Sequence, residues 1–195
     1  ESDARRALRI FNEKSNTTDI KRTNAFDLKF LDQSQAEEIQ YIGKLSVNNS
    51  CFYREYVLGD DTPEMRATSL VIGQALQQPF FTEMRTNQQL GYIVWSYTRS
   101  RDETYYLSFV IQSGAFTADD VNQRADDFIA STPELLTAMD EETFQQLKES
   151  AIEKLEKKPM SISERANKLQ TFIFEHDADF QRDQKTIAAL ETLQQ

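Results

Sequence analysis

One cysteine, one histidine, five glycines and four prolines in 195 residues exclude several kinds of protein. Cys51 has no second cysteine to pair with, so no internal disulfide can form, and the redox compartment stays open. Zinc needs several His, Cys or carboxylate ligands at set spacing, and only His176 and Cys51 are available as the usual nitrogen and sulfur donors. No run of 18 apolar residues exists, so nothing is expected to span a bilayer and no membrane partner is expected. Lys and Arg number 22 against 32 Asp and Glu and form no cluster, which argues against nucleic acid, because phosphate binding requires grouped cations. The first residues, ESDARR, are charged and lead into no apolar stretch, unlike a signal peptide. There is no initiating Met, which suggests a chain cut from something longer.

What is present describes a folded protein. Hydrophobic residues make up 39%, and 13 Phe, 7 Tyr and 1 Trp supply more buriable surface than a disordered chain carries. The length suits one domain, or one domain with a piece of another. Net charge is −10 and unevenly placed. Residues 1–59 are neutral, whereas 117–160 carry eleven acidic against five basic side chains, as a solvated helical layer would.

Periodicity predicts a short amphipathic helix over 3–14, a polar connection over 15–24, and extended runs at 26–30, 39–45 and 51–58. Thr62, Pro63 and Glu64 form a helix start, and the helix should run to about Gln77, apolar on more than one side, until Pro79 interrupts it. A short helix could then resume over 80–86. Residues 91–99 and 104–112 read as an antiparallel hairpin, with Tyr105, Leu107, Phe109 and Ile111 on one face and Ser108 and Gln112 on the other. Three further helices are predicted: from Thr117 to about Ser131, from Asp140 to Lys157 with Pro159 as a stop, and from Ser161 or Ser163 with Ala166, Leu169, Phe172 and Ile173 inward. A last short helix should cover 186–193. The expected fold class is α+β, a largely antiparallel sheet covered on one face by helices.

No complete catalytic set is visible. A zinc-peptidase helix needs two His on one face with a carboxylate base beside them, which one His cannot supply. His176 lies near a predicted helix end, where the partial negative charge should favour its imidazolium. Cys51, mid-strand among apolar neighbours, reads as a buried inert thiol. The pairs Asp119/Asp120 and Asp126/Asp127 are explained by a helix start and a solvated face.

Residues 80–97, FFTEMRTNQQLGYIVWSY, are the distinctive stretch, followed by FVIQS at 109–113. This order of an aromatic pair, Met-Arg-Thr, two variable residues, Gln-Leu-Gly-Tyr, a strand and a hairpin partner ending in Ile-Gln-Ser resembles the carboxy-terminal part of the insulinase and pitrilysin zinc metallopeptidases. The resemblance extends over about residues 23–195 through the helix before Gln78, the segment MDEETFQ at 139–145 and LEKKPMS at 155–161. It implies a clamshell of two halves, each made of two related α/β modules, around a peptide chamber. Residues 1–20 would then be the last helix of a preceding module, and 21–195 the carboxy-terminal module without its final segment.

By motif position Arg85 and Tyr92 match the Arg and Tyr that, in the family, reach across the chamber to substrate. An arginine fork can hold peptide carbonyl oxygens, and a phenol O–H can stabilise a developing oxyanion, so Arg85 and Tyr92 are candidate substrate-binding residues and Tyr92 an auxiliary catalytic one. Gly91 fits a close backbone approach at the start of a strand. The resemblance further implies that zinc belongs to the amino-terminal part, that the partners are a peptide substrate and the amino-terminal half of the same polypeptide, and that this chain alone is inactive. Family members are periplasmic in many bacteria and cytoplasmic elsewhere. The rival expectation is an inactive scaffold or peptide-binding domain of the same fold.

Overall fold

The computed structural model describes residues 39–44, 46–101 and 103–195. The predicted helix at 3–14, the run at 26–30 and the module boundary at 20/21 lie outside the described residues. The chain divides after Tyr41, and every element below belongs to the second unit.

Three strands, β1 (Ser50–Asp60), β2 (Ile93–Arg101) and β3 (Thr104–Ser113), form an antiparallel sheet in the order β1-β3-β2. The register sets Phe52 and Val94 on either side of Ile111, and Arg54 and Ser96 on either side of Phe109. Because side chains alternate along a strand, this register fixes two faces. One carries Phe52, Val94, Leu107, Phe109 and Ile111 into the main core, under the helices.

Helix α1 (Pro63–Phe81) is the central packing element. Thr62 caps it by accepting the Met65 N–H, and Pro63 occupies the first turn. Its breadth of apolar residues is used on two sides, as the sequence suggests. Leu76 and Phe80 join the sheet core, while Ala67 and Val71 join a second cluster with Phe144, Ala151 and Leu190. Phe80 meets Phe109 and Phe128 edge-on, with ring centroids 5.0 and 5.2 Å apart.

The remaining helices are α2 (Ala118–Thr137), α3 (Glu141–Glu156), α4 (Ile162–Glu175) and α5 (Arg182–Thr192). Thr117, Asp140 and Ser161 cap the first three, each accepting the N–H three residues on. The break expected at Pro79 does not occur. Pro79 lies inside α1, where fully buried Leu76 and Phe80 hold the helix against the sheet and outweigh the lost hydrogen bond. Pro133 lies inside α2, which runs past the expected end at Ser131; Pro133 leaves the Ile129 carbonyl without its helical donor, and the Thr132 hydroxyl donates to that carbonyl at 2.7 Å.

Other expectations shift. Residues 39–44 are irregular and exposed where a strand was predicted. α5 starts at Arg182 rather than 186. It is tied to α1 by Asp61, which pairs with Arg66 at 2.9 Å and Arg182 at 2.6 Å, all three nearly buried. On α4 only Phe172 is buried, edge-on to Phe180, while Leu169 and Ile173 are each 40% exposed; Lys168 ties the helix to Asp183 of α5. His176 ends α4, but its ring is held below the usual imidazole range, by burial first and then by the nearby Arg182, so neutral imidazole wins over the helix-end effect. No helix among the described residues is long and apolar enough to cross a membrane.

Candidate functional site

The distinctive segment forms one continuous turn of unusual geometry. After Phe81 the chain widens into a six-residue π-helical turn, Thr82–Asn87, that carries Arg85. Such turns carry one extra residue per turn and are frequent at functional sites. Gln89 then takes a left-handed φ of 53°, which reverses the chain, and the Leu90 N–H donates to the Met84 carbonyl at 2.9 Å. Met84 and Leu90 are fully buried and anchor the two ends of the reversal.

Gly91 follows with no space for a side chain. A Cβ there would lie 1.7 Å from the Gln112 carbonyl oxygen, so the backbone passes against β3 as the sequence suggests. Tyr92 comes next, just before β2 begins at Ile93, and is 85% exposed. The Arg85 guanidinium carbon sits 5.4 Å from the Tyr92 ring centroid, a cation–π arrangement that orients both groups. Thus the two residues singled out by the motif are adjacent in space, although seven apart in sequence. Among the described residues, neither the Arg85 guanidinium nor the Tyr92 hydroxyl has a hydrogen-bond partner, which leaves a donor fork and a phenol O–H side by side at the surface.

A polar brace behind the turn escaped the sequence reading. Glu83 accepts from Asn87 at 2.7 Å and from Gln88 at 2.8 Å, and these hydrogen bonds, the Gln88 one foremost, hold its carboxyl below the usual range. Gln88 in turn accepts from Arg124 of α2 at 3.0 Å, and Arg124 lies over Phe116, 4.9 Å from the ring centroid. The Glu83–Asn87 spacing was readable as a helical i,i+4 pair, but Arg124 is 36 residues from Gln88 and no local pattern joins them.

The other singled-out residues do not converge here. Cys51 is exposed rather than buried, because Phe52 takes the core side of β1 and alternation sends Cys51 to the opposite face. His176 lies at the end of α4, away from this turn. Among the described residues no group of three His, Cys, Asp or Glu side chains could hold a metal ion. The donor set for zinc does not fit here.

Comparison with known proteins gives the family of the chain. Residues 71–170 match the family described as PQQ synthase PqqF-like, C-terminal lobe domain 4. The chain is 28% identical over 136 residues to Protease 3 of Salmonella typhi, covering 70% of this chain and 14% of that protein. It is 31% identical over 156 residues to the human insulin-degrading enzyme, covering 78% and 15%. Among solved structures, pitrilysin superposes with a TM-score of 0.68 at 25% identity, over 76% of this chain and 16% of that one. The chain therefore spans about one seventh of the length of these curated relatives. The family match over more than half of the chain, with a relative 31% identical over 78% of it, places the chain in the insulinase/pitrilysin-type peptidase family, as a domain of the carboxy-terminal lobe.

Proposed function

We propose that this chain is the substrate-facing, non-zinc-binding part of a zinc-dependent metalloendopeptidase, forming chamber wall and contacting peptide through Arg85 and Tyr92. The observation that carries the reading is the exposed Tyr92 ring stacked on half-buried Arg85, on a turn that packing, a close glycine and a polar brace leave little freedom. Preorganised donors aimed at developing charge are worth more than mobile ones, because no reorganisation is needed during reaction.

In this role the Arg85 fork donates to peptide carbonyl oxygens and positions the chain. Tyr92 donates its phenol proton in a hydrogen bond to the scissile carbonyl oxygen as negative charge grows there. The zinc belongs to the amino-terminal half of the same polypeptide, and the 195-residue chain by itself does not hydrolyse peptides.

Steady-state kinetics on the full-length polypeptide test this. Tyr92→Phe should lower kcat with zinc content unchanged, and Arg85→Gln should mainly raise KM. Wild-type values for both variants would remove the pair from the mechanism. Chelator-sensitive hydrolysis by the 195-residue chain alone would overturn the assignment of zinc to another part.

A further inference from the structure

The second face of the sheet carries no helix among the described residues. On it Ile93, Trp95, Tyr97, Arg99 and Arg101 follow one another along β2, which is an edge strand among those residues. Trp95 is 57% exposed and Tyr53, on β1, is 48% exposed. A helix-packing surface would bury such rings.

At the other end of the row two guanidiniums are fixed in place. Arg99 donates to the Glu55 carboxylate at 2.7 Å and to the Tyr53 hydroxyl at 2.8 Å, and Tyr53 itself donates to Glu55 at 2.8 Å. Arg101 donates to the second Glu55 oxygen at 3.3 Å and lies over Tyr106, 4.6 Å from the ring centroid. One carboxylate thus holds two arginines, leaving a local excess of positive charge in a chain of net charge −10. Each guanidinium has five N–H donors, so donors remain beyond those that Glu55 and Tyr53 accept. Trp, Tyr and Arg on a rigid, half-exposed surface are the residue types that dominate recognition hot spots.

We infer that this open face docks an extended peptide segment lying along β2, with an apolar side chain on Trp95 and an acidic side chain, four residues away, between Arg99 and Arg101. The spacing follows from strand geometry. Trp95 and Arg99 lie on one face four residues apart, about 13 Å, and an extended peptide presents side chains of one face at the same interval. Charge selects the acidic residue, since a carboxylate binds a guanidinium in a forked pair and an ammonium is repelled. The inference deepens the reading of this domain as peptide-facing by giving a sequence preference to the wall beyond Arg85 and Tyr92.

Trp95 is the only tryptophan in the chain, so its fluorescence reports on this face directly. The 195-residue chain is titrated with a decapeptide blocked at both ends, carrying one Leu and one Asp four positions apart in a Ser/Thr background. A second titration uses the same peptide with Lys in place of Asp. The expected result is a saturable change in Trp95 emission with the Asp peptide and binding weaker by about tenfold or more with the Lys peptide, the weight of one charge-assisted pair. The double variant Arg99→Glu, Arg101→Glu should reverse the preference, whereas Tyr92→Phe should leave it unchanged. Failure of the Tyr92 assignment in hydrolysis would therefore be seen separately. No saturable change, equal affinity for the two peptides, or self-association of the chain in sedimentation that abolishes the response would overturn the inference. The wild-type comparison of two peptides decides even if the double variant does not fold.

Discussion

The two faces of the sheet are built from the same three strands and used in opposite ways. On the covered face Phe52, Val94, Phe109 and Ile111 are nearly or wholly buried under α1 and α2. On the open face the intervening residues of β2 are Trp95, Tyr97, Arg99 and Arg101, with rings half exposed and cations held by Glu55. The first face shows how the domain is held together and the second shows what it has to offer. Stability and recognition have been separated by one residue of strand register.

The largest break in that contrast should come from the covered face. Phe109→Ala removes a ring packed between Phe80 and Tyr56 and should cost about 3–5 kcal/mol in urea unfolding, enough to unfold a marginal domain. Gly91→Ala, at the seam between the turn and the sheet, forces a methyl into the Gln112 backbone. It should cost about 2–3 kcal/mol, near the upper end for overpacking, because the obstructing atom is main chain and not the tip of a side chain.

A smaller effect is pH-dependent and lies outside the sheet. His176 is held below its ordinary range by burial and by Arg182, so the unfolded chain takes up a proton more readily than the folded one. Its contribution to stability is present above the unfolded value of about 6.5 and is lost as pH falls through the folded value. His176→Gln should flatten the fall in melting temperature between about pH 7 and 5. An identical slope in the variant would show that His176 plays no part. The smallest effect belongs to the open face: Trp95→Ser should change stability by no more than about 0.5 kcal/mol, the usual range for exposed positions. A loss approaching that of Phe109→Ala would mean that the open face is core.

Much of this division could be read from the residues. The caps Thr62, Thr117 and Asp140 each accept the N–H three residues on, because a short oxygen side chain before an apolar-periodic run has one natural partner, and of the two candidates Ser161 and Ser163 the structure uses Ser161. The hairpin and the glycine at its start were equally legible, as was the motif that sets Arg85 and Tyr92 near each other. What could not be read was decided at long range. Pro79 and Pro133 are breakers by local rule, yet buried Phe80 and the hydroxyl of Thr132 keep their helices whole. Cys51 reads as buried until pairing with β3 assigns it a face. The Arg124 brace to Gln88 and the capture of two arginines by Glu55 join residues from different elements, and no periodicity announces them.

The measurement that bears most directly on the account is kcat for Tyr92→Phe in the full-length polypeptide, with zinc content and melting temperature recorded beside it. Removal of one oxyanion donor predicts a fall of about 10²–10³ in kcat with the other two unchanged. A kcat equal to that of the wild type would contradict the account, because the exposed phenol beside Arg85 would then have no part in the reaction.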